Sequence, residues 1–248
     1  MQPIYKRILL KLSGEALGGE HGQGLDASIL QVLCREVAAV VDLDVQVAIV
    51  VGGGNFFRGA RAGNLTMDRV NADYIGMLAT VMNAIALQQA FVTSGVNACV
   101  QTAIPMSPVA EPYVRERTLQ YLSNHSVVIF GAGTGSPFFT TDTAASLRAI
   151  EIEADLLLKA TRVDGVYDRD PKTYADAKRY ETVSYDEVLN KRLNVMDATA
   201  IALCREYELP LCVFNINNPG CLHRIIMGDD KEGTLVHSGT ERLSHESK

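Results

Sequence analysis

Tryptophan is absent from the 248 residues, aromatic side chains make up only 6 %, and the five cysteines (Cys34, Cys99, Cys204, Cys212, Cys221) form no Cys-x-x-Cys or other metal-ligand spacing. A zinc ribbon and a thioredoxin-type redox pair are excluded, and scattered thiols in apolar stretches suit a reducing compartment as buried small hydrophobes. Positive charge is in deficit: 23 Lys and Arg stand against 29 Asp and Glu, a net charge of −6. That balance argues against nucleic acid and anionic membrane as partners, while a local basic pocket can still hold a phosphate. No repeat, low-complexity tract or Pro/Gly-rich linker interrupts the chain, so one domain over residues 1–248 is expected. The start, Met-Gln-Pro-Ile-Tyr-Lys-Arg, leads into only a short β-like run before Lys11, so no secretory leader is expected and a cytoplasmic location follows.

Charge is missing altogether from the 37 residues between Asp73 and Glu111. Residues 75–95 have the length of a membrane span, but Thr80, Asn83, Gln88, Gln89 and Thr93 interrupt them and no Lys/Arg cluster follows. The expectation is a helix buried on most of its circumference, partly by its own sheet and partly by a second subunit.

With 47 % hydrophobic residues the chain can build a large core. Segments 6–12, 45–51, 97–103, 126–130 and 155–160 read as buried parallel strands, and 27–42, 67–93, 111–123 and 141–153 as helices between them. Beyond residue 160 a polar loop (164–182), helices near 184–191 and 197–207, a strand at 211–214 and an amphipathic segment ending at Gly228 follow. Repeated strand–helix–strand units imply an α/β fold with a mainly parallel central sheet between helical layers, a three-layer sandwich.

Ligands in such sheets bind beyond the carboxyl ends of the strands. Three strands here end in Lys11-Leu12-Ser13-Gly14, in Gly52-Gly53-Gly54-Asn55-Phe56-Phe57-Arg58-Gly59, and in Gly131-Ala132-Gly133-Thr134-Gly135-Ser136-Pro137-Phe138-Phe139-Thr140-Thr141-Asp142. Glycine lets main-chain N–H groups approach phosphate oxygens, and Lys11, Arg58 and Lys159 at strand ends add charge, which points to a site for at least two phosphorylated groups. GxxxxGK[ST] does not occur, so the chain is no P-loop nucleotidase; GAGTGS has the wrong glycine spacing for a dinucleotide fingerprint.

Together KLSGEAL (11–17), GGGNFFRG (52–59), DYIGMLATVMNA (73–84), GAGTGSPFFTTDTAA (131–145), KATRVDGVYDRDP (159–171) and VMDATA (195–200) closely resemble the bacterial UMP kinase branch of the amino acid kinase family, over residues 5 to 237. The resemblance implies that family's sandwich fold, hexamers built from dimers, and transfer of the γ-phosphoryl of Mg-ATP to UMP. By similarity, Lys11, Leu12, Ser13 and Gly14 with Gly54 and Arg58 hold the ATP phosphates, and Thr161, Tyr167 and Asp170 lie along its nucleoside. Gly53, Asp73 and the run Thr134, Gly135, Ser136, Pro137, Phe138, Phe139, Thr140 and Thr141 correspond to the UMP site. Lys11, Arg58 and Lys159 are the expected catalytic charges, with Asp142 and Asp197 orienting the lysines or reaching Mg²⁺ through water; no all-protein metal site is implied. UTP is the expected inhibitor. GTP activates many members, but of the corresponding positions Gln88, Val92, Cys99 and Arg115 only one is cationic, so strong activation is not expected despite the matching segment Gly19 to Gly24. A kinase of a carboxylate or carbamate, a non-catalytic nucleotide-binding regulator and a molybdate-storage protein are the alternatives on this fold.

Overall fold

The computed structural model describes residues 2–57, 67–239 and 242–243. The chain runs β1 (Arg7–Leu12), a one-turn helix α1 (Gly14–Leu17), α2 (Ala27–Val41), β2 (Gln46–Val51), the long α3 (Arg69–Thr93) and β3 (Ala98–Thr102). Then come β4 (Glu111–Pro112), α4 (Arg115–Ser123), β5 (Val127–Gly131), α5 (Thr141–Glu151) and β6 (Leu156–Thr161). The last third holds β7 (Tyr180–Ser184), α6 (Tyr185–Asn190), α7 (Ala198–Glu206), β8 (Leu211–Asn215), α8 (Cys221–Ile226), β9 (Thr234–His237) and β10 (Arg242–Leu243).

All the described strands join one sheet in the order β10-β7-β9-β8-β6-β1-β2-β5-β3-β4. Pairing is parallel from β8 through to β4, as crossover helices require; only β8/β9 and β10/β7 are antiparallel. Alternation along each strand sends side chains to opposite faces, so Ile8, Leu10 and Leu12 of β1 pack with α2, α3 and α8, while Leu9 packs with α4, α5, α6 and α7. The result is the three-layer sandwich, with β1 and β6 at its centre.

Two boundaries differ from the sequence reading. The helix expected from residue 111 begins at Arg115, because Pro112 has no N–H to give a helix and the residue before it prefers extended backbone; Glu111 and Pro112 pair instead with Gln101 and Thr102 at the sheet edge. The polar loop assigned to 164–182 ends early, since Tyr180 already belongs to β7. Strand β9 escapes detection for the same reason: four residues between glycine-rich turns carry almost no periodic signal.

Helix α3 has the length and hydropathy of a membrane span. In the fold it buries Met77, Val81, Ala84, Leu87 and Phe91 and packs on β3 and β5, while Tyr74, Leu78, Met82, Ile85 and Val92 form an exposed apolar stripe. Both faces are apolar for different reasons, which is why the helix shows little amphipathic contrast.

Candidate active site

Lys11 and Lys159 are direct partners across the parallel β1/β6 ladder, so two ammonium groups emerge side by side on one face of the sheet. Adjacent like charges in a buried place are unfavourable unless something neutralises them. Asp142, in the first turn of α5, does so: its Oδ1 lies 2.8 Å from Lys11 Nζ and its Oδ2 2.9 Å from Lys159 Nζ. Side-chain exposures of 9 %, 15 % and 17 % for Lys11, Asp142 and Lys159 leave the cluster only a narrow opening to solvent. Burial pushes the Asp142 carboxyl up, but the two ammonium groups outweigh it and hold the group below the ordinary carboxylate range. Burial also holds Lys159 below its ordinary value, with Asp142 opposing and Lys11 adding to the drop. Lys159 donates a second, short bond to the Val195 carbonyl. The cluster is therefore a net cationic centre at the carboxyl ends of the two central strands.

Asp197, expected to orient the lysines or to reach Mg²⁺ through water, makes its hydrogen bonds at two helix starts and acts on Lys159 through its charge alone. Its carboxylate caps α7 through Ala200 N–H (3.0 Å) and accepts from Thr143 Oγ1 (3.0 Å) and from Thr140 Oγ1. Thr140 in turn caps α5, accepting from Asp142 N–H at 3.0 Å. Asp197 thus fixes the start of the helix that carries Asp142, and its charge also favours the ammonium form of Lys159.

The glycine loops converge as expected, and their packing explains why glycine is needed. A Cβ on Gly14 would stand 2.5 Å from Gly54 N and 2.7 Å from Gly52 O; one on Gly53 would meet Gly76 O of α3 at 2.7 Å. Two buried amides not foreseen from sequence lock this arrangement: Asn55 Nδ2 donates to Asn83 Oδ1 (2.9 Å), Asn83 Nδ2 donates to Asn55 Oδ1 (2.7 Å), and Asn83 Nδ2 also reaches Gly52 O (2.7 Å). Asn55 also donates to Gly24 O and accepts Gly24 N–H on its own carbonyl, which ties the 19–24 segment to the same loop. Ser13 caps α1 through Ala16 N–H. Thr80 does for the third loop what Asn83 does for the second, accepting from Ala132 N–H at 2.7 Å and donating to Met77 O at 2.7 Å. Thr80 and Asn83 looked like flaws in an apolar helix; they are the polar contacts by which α3 holds two loops. Thr80→Val leaves the buried Ala132 N–H without an acceptor. It should lower the unfolding free energy by about 1–3 kcal/mol in urea denaturation, whereas Thr80→Ser keeps the bond and most of the stability.

Between these loops lies a cleft of about 290 Å³ lined by Gly53, Gly54, Phe57, Asp73, Gly76, Thr80, Gly133, Thr134 and Phe139 to Thr141. Thr141, one of its lining residues, is the chain neighbour of Asp142. Of the expected acceptor run, Thr134, Phe139, Thr140 and Thr141 line it; Phe138 points to solvent, and Gly135, Ser136 and Pro137 shape the turn. A second cleft, of about 420 Å³, is lined by Val163 and Gly165 to Lys172 and by Lys191 to Asn194. Asn194, one of its lining residues, is the chain neighbour of Val195, whose carbonyl Lys159 holds. Tyr167 and Asp170 line this cleft. The Tyr167 hydroxyl is pushed up to about 12 by burial and by its 2.7 Å bond to Asp164 Oδ1, and Asp170 turns its carboxylate to Lys172 N–H and the Thr173 hydroxyl. Thr161 meets the backbone of Val163 and Phe214 instead. Arg162, unforeseen, ties the end of β6 to the first loop through Gly19 O and Glu15 O. Arg58 lies outside the described residues.

Of the four effector positions, Gln88 and Cys99 share a third cleft of about 450 Å³ with Glu111 and Arg117. Arg115 is elsewhere, bound to Glu151 O and paired with Glu153, and Val92 is on the exposed face of α3. Arg117 faces Glu111 at 3.5 Å, so the cation in this cleft already has an anionic partner.

A model of the amino acid kinase family matches residues 6–215. The chain belongs to the amino acid kinase family. Solved structures resemble the chain over nearly its whole length. The UMP kinase of Bacillus anthracis superposes with a TM-score of 0.94 at 42 % identity, covering 97 % of this chain and 99 % of that one. The UMP kinase of Ureaplasma parvum gives 0.89 at 37 %, covering 96 % and 100 %, and the uridylate kinase of Archaeoglobus fulgidus 0.69 at 28 %, covering 92 % and 99 %. For an amino acid kinase, a buried cationic centre suits phosphoryl transfer between polyanions, because positioning and charge neutralisation are most of what that transfer demands.

Proposed function

We propose that the protein is a cytoplasmic UMP kinase acting as one domain, transferring the γ-phosphoryl group of Mg-ATP to UMP to give ADP and UDP for pyrimidine nucleotide synthesis. The observation that carries this reading is the Lys11–Asp142–Lys159 cluster, whose Asp142 follows Thr141 of the first cleft and whose Lys159 bonds Val195, the residue after Asn194 of the second. The UMP kinase neighbours at 42 % and 37 % identity support the acceptor.

In this reading ATP lies along Lys11, Leu12, Ser13, Gly14, Gly54 and Arg58, with Thr161, Tyr167 and Asp170 along its nucleoside. UMP occupies the 290 Å³ cleft, contacting Gly53, Asp73 and residues 134–141. An acceptor phosphate is already ionised at neutral pH, so no general base is needed. Lys11 and Lys159 stabilise the charge that spreads over the transferred group, and Asp142 keeps both ammonium groups aimed at one point. Magnesium neutralises the nucleotide phosphates when bound. Asp142 spends its oxygens on two lysines and Asp197 on Thr140, Thr143 and Ala200, a donor set that fits an ion held mainly by phosphate and water.

UTP inhibits by occupying the UMP cleft. Strong GTP activation is not expected, since Arg115 alone among the four corresponding positions is cationic. The working assembly is a hexamer built from dimers, with the apolar stripe of α3 covered by a second copy. Light scattering after size exclusion should give a multimer for the wild type and a smaller mass for Leu78→Glu/Met82→Glu.

The acceptor is tested by ADP release from Mg-ATP with UMP, CMP, acetylglutamate and carbamate in parallel. Turnover confined to UMP is the expected result; turnover with another acceptor refutes the UMP assignment, and none at all favours a binding-only protein.

A further inference from the structure

Residues 167–172 line the 420 Å³ cleft, yet from Tyr167 to Arg179 no residue is buried. The segment is braced mainly within itself. Asp168 N–H donates to Lys178 O at 3.0 Å, Lys178 N–H donates to the Asp168 carboxylate at 2.8 Å, and Arg169 pairs with Asp176 at 3.4 Å. With no side chain in the core, the segment takes its place from its root, where Val166 and Tyr180 are both buried.

One hydroxyl joins the two sides of that root. Thr234 is fully buried; its Oγ1 accepts from Val166 N–H at 2.9 Å and donates to Tyr180 O at 2.5 Å, tying the chain that enters the loop to the chain that leaves it. Tyr180 N–H closes the arrangement on Val166 O at 2.8 Å. A Cβ on Gly165 would stand 2.4 Å from the same Oγ1, so the Val163–Val166 stretch needs glycine there. Strand direction brings Thr234 to this place. Strand β9 runs antiparallel to β8, so its first residue, like the first of β7, lies toward the end of the sheet where β6 and β8 finish.

We infer that Thr234, which is not among the lining residues of either nucleotide cleft, is a positioning residue for the phosphoryl donor: its hydroxyl sets the loop that carries Tyr167 and Asp170. The inference rests on the reading of the 420 Å³ cleft as the ATP site. Without the hydroxyl, Val166 N–H and Tyr180 O each lose a buried partner, and the loop is free to shift relative to residues 191–194, which line the same cleft. The 290 Å³ cleft is built from other loops, so the acceptor should not sense the change.

The test measures kcat, KM for ATP and KM for UMP, with thermal melts, for the wild type, Thr234→Val and Thr234→Ser. Thr234→Val, which keeps the shape and removes the hydroxyl, should raise KM for ATP about tenfold while kcat at saturating ATP and KM for UMP stay within about twofold; Thr234→Ser should restore KM for ATP. A merely structural threonine would lower the melting temperature and leave both KM values in place. An unchanged KM for ATP, an equal rise for both substrates, or a serine variant as impaired as the valine one overturns the inference. If Thr234→Val does not fold, Gly165→Ala, which crowds the same oxygen, is read by the same criteria. Trypsin cleavage of the wild type after the exposed Lys172 separates the two ways of failing: ATP should slow it and UMP should not. ATP without effect overturns the donor reading of this cleft and the inference with it, whereas protection by ATP alongside an unchanged KM in Thr234→Val overturns the inference and leaves the donor reading standing.

Discussion

Lys11→Met and Lys159→Met should each lower kcat by about 10²–10³, the range for removing one preorganised charge or donor from a transition state. Both variants should remain folded. Methionine keeps the length and apolar stem of lysine, and removing one of two neighbouring ammonium groups relieves their repulsion while Asp142 keeps the other as partner. The loss should therefore fall on turnover, with little change in the melting temperature. A purely structural cluster predicts the reverse, a lower melting temperature with kcat preserved. Coupled ADP release and a thermal melt on the same preparations separate the two.

Asp142→Asn should affect both stability and rate. The amide cannot neutralise two buried ammonium groups, and breaking a buried ion pair by removing one partner costs about 3–5 kcal/mol, or about 6–20 °C in melting temperature for a chain of this size. The pH profile carries a further signature. Burial already holds Lys159 below the usual lysine value of 10.5, and Asp142 is the largest influence opposing that drop. Without the carboxylate the ammonium loses its proton at lower pH still. The alkaline limb of kcat/KM, where the charged form of Lys159 disappears, should shift toward neutrality in Asp142→Asn. An alkaline limb that stays in place, or moves upward, would remove Lys159 from the charge assignment.

Much of this was legible in the sequence because the relevant signals are local. The central strands are continuous apolar runs bounded by Gly, Asn or Asp, and each ends in the loop that builds the site, so strand and site were found together. Lysines inside such strands stand out because burying them unpaired is costly. Non-local relations were hidden. No spacing shows that Lys11 and Lys159 share a register, nor that Asp142 reaches both; that depends on β6 docking beside β1 and on the entry angle of α5. Thr80 and Asn83 told against a membrane span, but their loop partners stayed hidden because a buried polar contact and a solvent-facing interruption look identical in one dimension. VMDATA placed Asp197 near the lysines or magnesium, while its hydrogen bonds to the helix starts at Thr140 and Ala200 depend on packing that no spacing shows. Within one chain Gln88 and Cys99 share a cleft and Arg115 lies elsewhere, a grouping that no spacing shows.

The most direct measurement is ³¹P NMR of the purified wild-type protein with Mg-ATP and UMP. If Lys11, Asp142 and Lys159 form a phosphoryl-transfer centre between two nucleotide sites, the ATP γ signal should decline as ADP and UDP appear in equal amounts, with no inorganic phosphate. ATP consumed into inorganic phosphate with UMP unchanged, or a spectrum that does not change, would contradict that assignment.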